Sequence, residues 1–377
     1  MIGRGRLRRL LTSLVLAFAW GVSFAPGPAP AQSFLGLDIG VVLKFKAHKD
    51  NPQQIPIGTP IALVFIAAGL LFLPVVLNLT GNTLFGDHDT GGALGNAMSC
   101  PVFAGTGTIL TESGCFWTRV TAQRTYSFET RTDIGSVTLG GQVELAPSWF
   151  LGGTIGTGTL ALQDDSVGAS GYGQTFNGSV ALKHTAGPWY FAGALAFASR
   201  SLHIARNGGL ASSDLNLYGG GLRLRGAYDF AFTDWYVRPR LDLDLFYTAM
   251  PGFQESGPAG GTLSVGAVNK TSLALSPAVE LGGRYDLDPQ TILRPYVVLG
   301  FTLNPDSGST VQVQFTGPQA ALGTFQATTS GPGVLGNLEA GLQWYRTKGL
   351  ELKAEYRLTA GDAYLSQTAG LRGAYRF

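Results

Sequence analysis

The densest group of metal-ligating side chains in the sequence is Asp87-His88-Asp89, in the run GDHDTGG. Two carboxylates around an imidazole could hold a divalent cation, but a metal site needs ligands converging from more than one stretch, and no second cluster accompanies this one. Its glycine neighbours mark a solvated turn. The other histidines are His48, His184 and His203, and the last two fall near opposite ends of neighbouring predicted elements, too far apart to share a site. The signatures of nucleophilic and metallopeptidase chemistry, G-x-S-x-G and H-E-x-x-H, do not occur. GYGQTFNG (171–178) loosely resembles a phosphate-cradling loop, yet it opens a run of period two rather than a helix. No catalytic residue, metal site or cofactor is expected, and the chain is not expected to be an enzyme.

What the sequence does space regularly is charge. In GLELKAEYRLTA, Glu351, Lys353, Glu355 and Arg357 alternate with Leu350, Leu352, Ala354, Tyr356 and Leu358. In VRPRLDLDLFY, Arg238, Arg240, Asp242 and Asp244 alternate with Pro239, Leu241, Leu243 and Leu245. ALSPAVELGGRYD sets Glu280 and Arg284 against Leu275, Pro277, Val279 and Leu281. A period of two is that of a strand with opposed faces, not of a helix. Arg223, Arg225, Glu339, Arg372 and Arg376 follow the same parity on their own runs. Together these residues predict a hydrated, charge-lined interior, serving as a track for a polypeptide segment or as cross-strand ion pairs that stiffen a wall.

The elements that must carry this pattern are strands. Periodic runs lie near 115–128, 134–145, 149–161, 172–184, 188–202, 214–229, 234–249, 270–286, 291–304, 333–346, 349–360 and 364–377. Charged residues are only 13% of the chain, against about 25% in soluble domains. With 26 basic and 24 acidic residues, the net charge of +2 gives no indication of a nucleic-acid partner. The predicted fold is all-β, a transmembrane antiparallel β-barrel of about 12 strands with a short N-terminal segment. Lipid fixes the register: slipping the 350–358 strand by one residue would turn its charges outward, at about 2–4 kcal/mol for each Lys or Arg near the midplane. Short connections (146–148, 185–188, 231–234, 287–290, 347–348) alternate with long ones (251–269 and 305–332), the first set assigned to the periplasmic side and the second to the exterior. Trp117, Trp149, Trp189, Tyr190, Trp235, Tyr236, Trp344, Tyr345, Tyr375 and Phe377 cluster at strand ends, as aromatic girdles would. The chain ends on GLRGAYRF, where Leu371, Tyr375 and Phe377 share one face and form the expected C-terminal assembly signal at the barrel seam.

Residues 1–31 have the arginine-rich start, apolar run and small-residue APA site of a secretory signal peptide, implying passage through the Sec translocon. In an exported chain Cys100 and Cys115 are expected to form a disulfide, which for a loop of this size contributes about 3 kcal/mol. Residues 32–112 form a short upstream segment containing an uncharged stretch, 55–81, nearly long enough to span a bilayer as a helix but interrupted by Pro56, Pro60 and Pro74.

CFWTRVTAQ, GGQVELAPSWFLGGTIG, WYVRPRLDLDLFYTAMPGFQESG, SPAVELGGRYDLDPQTILRPYVVLGF, EAGLQW and the terminal AYRF, in this order, resemble the autotransporter β-domain, the translocator unit of type V secretion. The resemblance spans residues 115–377 of a domain placed at 113–377. It implies a twelve-stranded pore in the bacterial outer membrane, inserted among outer-membrane lipid by the barrel assembly machinery. It also implies a helix or linker threading the lumen toward an exported passenger. Here residues 32–112 show no β-helix repeat, and no asparagine pair of the kind some relatives use for self-cleavage precedes the barrel. The expected function is therefore translocation or display of the chain's own N-terminal segment. The alternative is a stand-alone outer-membrane adhesin or structural barrel working through its long loops.

Overall fold

A computed structural model describes residues 94–95 and 100–377, apart from 166–167, 207–208, 258–261 and 306–307. The signal peptide, the 55–81 stretch, His48 and His88 lie outside the described residues. Each run of period-two alternation forms a strand, because that spacing lets one face meet an apolar surrounding while the other faces the interior. The wall strands are β1 (Cys115–Ser127), β2 (Thr130–Ala146), β3 (Trp149–Asp164), β4 (Ala169–Ala186), β5 (Trp189–Arg206) and β6 (Ala211–Tyr228). They continue as β7 (Trp235–Met250), β8 (Val268–Gly283), β9 (Thr291–Leu303), β10 (Val334–Arg346), β11 (Gly349–Gly361) and β12 (Tyr364–Arg376).

Every neighbouring pair is antiparallel, and β12 pairs with β1 along its length, Tyr375 opposite Phe116 and Leu371 opposite Val120. The ring therefore closes as a twelve-stranded barrel without a free edge. Outward positions are large and apolar: Val120, Ile155, Leu195, Leu243, Leu299 and Leu352 are all exposed, and Leu371 is 64% exposed. An apolar belt around the whole wall is a face made for hydrocarbon rather than water. Phe377 lies beyond β12, its ring 5.5 Å from that of Phe116.

Two features depart from the predicted elements. Strands predicted at 134–145, 172–184, 188–202 and 214–229 reach Thr130, Ala169, Arg206 and Ala211 at the long-loop end. The long loops are themselves structured: Phe253–Gln254, Leu263–Val265, Gly308–Phe315 and Thr324–Ser330 form a separate four-stranded antiparallel sheet. The two departures have one cause. Inward positions near that end change from charged to apolar, and Ile134, Leu160, Leu162, Leu202, Ile204, Leu215 and Leu217 form one buried cluster with Leu263, Val265, Val311, Val313 and Phe315 of the small sheet. The sheet is thus a cap seated on the wall's inner face, and the strands are prolonged because its burial makes pairing there favourable. Arg206 and Glu255 clamp it through two charge-assisted hydrogen bonds, 2.7 Å from Nε and 2.5 Å from Nη2, and the Leu263 N–H also donates to Glu255 at 2.8 Å.

Candidate functional site

The inward face of the mid-barrel is polar because strand parity places every second residue there, and the sequence puts its charges at those positions. On β6 and β7, Arg223 lies opposite Asp244 and Arg225 opposite Asp242. Each arginine forks onto its partner, at 2.6 and 2.9 Å for the first pair and 2.6 and 2.6 Å for the second. Arg238 reaches Asp229 at 2.5 and 3.2 Å. Glu280 accepts from Arg294 and from the Tyr236 hydroxyl at 2.5 Å. Glu339 accepts from Arg357 at 2.9 Å and from Tyr296 at 3.0 Å. Glu355 holds Arg119 and, at 2.7 Å, Lys353; Glu351 holds Arg376 and, at 3.2 Å, Arg372. These pairs surround a cavity of about 210 Å³.

Two of the singled-out charges stand apart. Arg240 lines the cavity but has no ion-pair partner among the described residues. Arg284 belongs to the short-turn end, where it bonds Asp286 at 2.9 Å and the carbonyls of Gly105 and Gly107 at 2.8 and 2.7 Å. Arg119, Lys183, Arg294, Glu112 and Asp229 join the network although sequence reasoning did not select them. The first three were visible in principle, since they fall on the inward parity of β1, β4 and β9. Glu112 lies outside the wall strands and carries no such mark, whereas Asp229, one residue past the end of β6, falls on the parity of Arg223 and Arg225 in the predicted run 214–229.

The aromatic girdle needs correction. Trp149, Trp189 and Trp235 face outward and Tyr375 and Phe377 do too, but Trp117, Tyr190, Tyr236 and Tyr345 are buried inside. Tyr190, Tyr236 and Tyr345 each follow a tryptophan directly, and adjacent residues of a strand cannot share a face. The inward rings carry cations: Arg372 over Trp117 at 5.0 Å, Arg238 over Tyr190 at 5.5 Å, Arg294 over Tyr236 at 5.6 Å and Arg376 over Tyr345 at 5.1 Å. Room for such rings comes from glycines opposite them. A Cβ at Gly282 would overlap the ring of Tyr236, and one at Gly341 the ring of Tyr296.

Two described residues ahead of β1, Leu94 and Gly95, lie inside the wall. Leu94 is fully buried, packed with Ala192, Ala194 and Ala196 of β5, Ala227 and Phe246, and Gly95 sits beside Arg223. Cys100 and Cys115 are joined by a disulfide. Between them Pro101–Phe103 and Leu110–Glu112 form a hairpin across the short-turn mouth. Phe103 packs against Tyr236, Ile292 and Tyr345 and donates its N–H to the Tyr345 hydroxyl at 3.1 Å. Leu110 N–H donates to Asp229 at 2.8 Å, Thr108 to the Phe232 carbonyl at 2.7 Å, and Arg376 and Gln343 to the Pro101 carbonyl at 3.0 and 3.2 Å. Lys183, deep in the wall, reaches Gln142 and Glu112 on the hairpin's last residue. The hairpin thus lies across the short-turn mouth and the cap against the inner wall at the long-loop end, with a charged chamber between them.

His184 and His203 do not meet. His184 stacks on Trp149 with centroids 4.4 Å apart, while His203 bonds Asp214 at 2.8 Å on the other end of the wall. Among the described residues no three His, Cys, Asp or Glu side chains are placed to hold a metal ion.

Comparison with known proteins places this geometry. A family model described as "Autotransporter beta-domain" matches residues 116–357, well over half of the chain. No curated protein matches it in sequence. The translocator domain of autotransporter NalP from Neisseria meningitidis superposes with a TM-score of 0.58 at 16% identity, covering 80% of this chain and 99% of that one. The transport unit of autotransporter AIDA-I from Escherichia coli gives 0.54 at 14% identity, covering 82% and 98%. The β domain of the Bordetella autotransporter Brka gives 0.52 at 22% identity, covering 71% and 100%. At these identities the structures speak for the fold, and the family model speaks for descent. With a closed twelve-stranded wall, a charged lumen and a family model matched over residues 116–357, the chain belongs to the autotransporter β-domain family.

Proposed function

We propose that this protein is an outer-membrane translocator whose pore carries its own N-terminal segment, and that transport needs no catalytic group because folding and insertion drive it. The observation behind this reading is the placement of residues ahead of β1: Leu94 is buried against the inward alanines of β5, and the hairpin at 101–112 lies across the short-turn mouth. In this reading the short-turn end faces the periplasm, the barrel assembly machinery seats the C-terminal strand with Leu371, Tyr375 and Phe377 against lipid, and the signal peptide hands the chain to the Sec translocon. The charges of the lumen are a wetted track whose ion pairs also brace the wall. A segment passing outward requires the cap to unseat, so the capped barrel is the resting state after or between passages.

A short epitope inserted after Gln32, read with antibody on intact cells and again after outer-membrane permeabilisation, tests the proposal. Labelling of intact cells supports display. Labelling only after permeabilisation, on a protein whose N-terminal sequence begins at Gln32, refutes it. The adhesin reading has one observation in its favour, the ordered four-stranded sheet built from both long loops, and it predicts that deleting 308–330 removes surface binding while display persists.

A further inference from the structure

We propose that the mid-lumen chamber is a binding site for a small oxyanion of the phosphate or sulfate class, anchored by Arg240. The proposal is independent of export and rests on three features of the chamber. The first is its charge: nine arginine and lysine side chains line it against five carboxylates, and after Asp244, Asp229 and Glu351, which pair with Arg223, Arg238 and Arg372 from outside the lining, are counted, an excess of one cation remains. The second is the position of Arg240 in the sheet. Its direct cross-strand neighbours are Ala227 on β6 and Ala278 on β8, neither of which offers a side-chain acceptor. Along its own strand, Asp242 is taken up by both forks of Arg225, and Arg238 is turned to Asp229. The carboxylates across the chamber are likewise engaged, Glu280 by Arg294 and Tyr236 and Glu339 by Arg357 and Tyr296. The Arg240 Nε is buried and has no hydrogen-bond partner among the described residues. The third feature is space. The chamber's volume of about 210 Å³ far exceeds the about 10–15 Å³ that one water requires, so a hydrated tetrahedral anion fits.

Asp242, Glu280 and Glu339 lie near enough to feel the Arg240 charge but are bonded to other groups. A buried guanidinium without a direct hydrogen-bonded partner is costly, whereas a planar fork presented to an oxyanion gains two parallel charge-assisted hydrogen bonds. The alanine flanks leave the fork uncovered, and the surplus of cations makes the chamber attractive to an anion before any contact forms. A divalent tetrahedral anion gains more from that surplus than chloride does, and its oxygens match the fork as a spherical ion cannot.

The test is calorimetric titration of sodium phosphate, and separately sulfate, into the full barrel refolded in detergent at fixed ionic strength in chloride, beside Arg240→Gln. One saturable site is expected, with chloride failing to compete, and R240Q should weaken it more than tenfold while keeping the folded gel mobility. Arg240→Lys, which retains the charge but loses the fork, should fall between the two. The proposal is overturned if the native barrel shows no saturable phosphate or sulfate heat, or if R240Q and R240K both bind as it does. Should R240Q not fold, R240K alone decides: unchanged phosphate affinity in that variant rejects the fork as anchor.

Discussion

Gly341→Ala is the perturbation whose cost can be worked most directly from the lumen geometry. Gly341 on β10 lies opposite Tyr296 on β9, and a Cβ at 341 would overlap Cζ, Cε1 and Oη of that ring. The ring has little freedom to retreat. Its hydroxyl donates to Glu339 at 3.0 Å, Arg294 lies 4.8 Å over its centre and Lys353 5.2 Å away. Inserting a methyl into such a fit costs about 1–3 kcal/mol. Full displacement of the ring would add the loss of a hydrogen bond to a charged group, about 1.5–3 kcal/mol. Tyr296→Ala alone should cost about 3–5 kcal/mol, as other large aromatic truncations do. In that background the added methyl meets empty space, so G341A should cost almost nothing more and the two changes should couple by about 1–3 kcal/mol. The assay is the urea midpoint of the refolded barrel, followed by the mobility difference between folded and heat-unfolded protein. Additivity of the two changes within about 0.5 kcal/mol would refute the reasoning, because the ring would then not be resting on Gly341.

The other predictions concern the closures and the lipid face. Glu255→Ala removes the acceptor for two arginine donors and a backbone N–H. Breaking a buried pair costs about 3–5 kcal/mol, so protease added to intact cells should cut the cap between Phe253 and Val265 in the variant and spare the parent. Cys100→Ser should lower the urea midpoint by an amount equivalent to about 3 kcal/mol, and reductant should then shift the parent but not the variant. Leu371→Arg places a charge on a residue that is 64% exposed on the outer face. It should cost up to about 4 kcal/mol if lipid surrounds that face, and a neutral result in lipid vesicles would argue against the outward belt as a membrane surface. Phe377→Ser removes the ring beside Phe116 and is expected to lower the fraction of chain assembled in outer membranes, read by heat-modifiable mobility.

Strand number, order and facing were legible in the residues because they rest on a local property. A period of two decides which side chains share a face, and hydrocarbon outside makes a slip of one residue prohibitive for runs such as Glu351 to Arg357. The same rule, applied strictly, would have turned Tyr190, Tyr236 and Tyr345 inward: the first two follow Trp189 and Trp235, which face out, and Tyr345 shares the parity of Glu339 on β10. Reading them by clustering rather than by parity is what misplaced them. The parity of β1, β4 and β9 likewise contained Arg119, Lys183 and Arg294.

Other features could be decided only by the closed barrel, because they depend on pairs far apart in the chain. Which carboxylate serves which arginine follows from registers such as Arg225 opposite Asp242 and Glu339 opposite Arg357, and the isolation of Arg240 follows from two alanines on different strands. The hairpin at 101–112 is too short and irregular to show as strands, and it is held by Tyr345, Asp229, Arg284 and Arg376, which come from strands and turns spread along the wall. The loops at 251–269 and 305–332 have polar, glycine-rich sequences whose few apolar residues have no visible partner until the wall curves round to supply Leu160, Leu202 and Leu217. Alternation is set by neighbours along the chain, whereas a cap, a plug and an unpaired charge are set by what closure brings across the lumen.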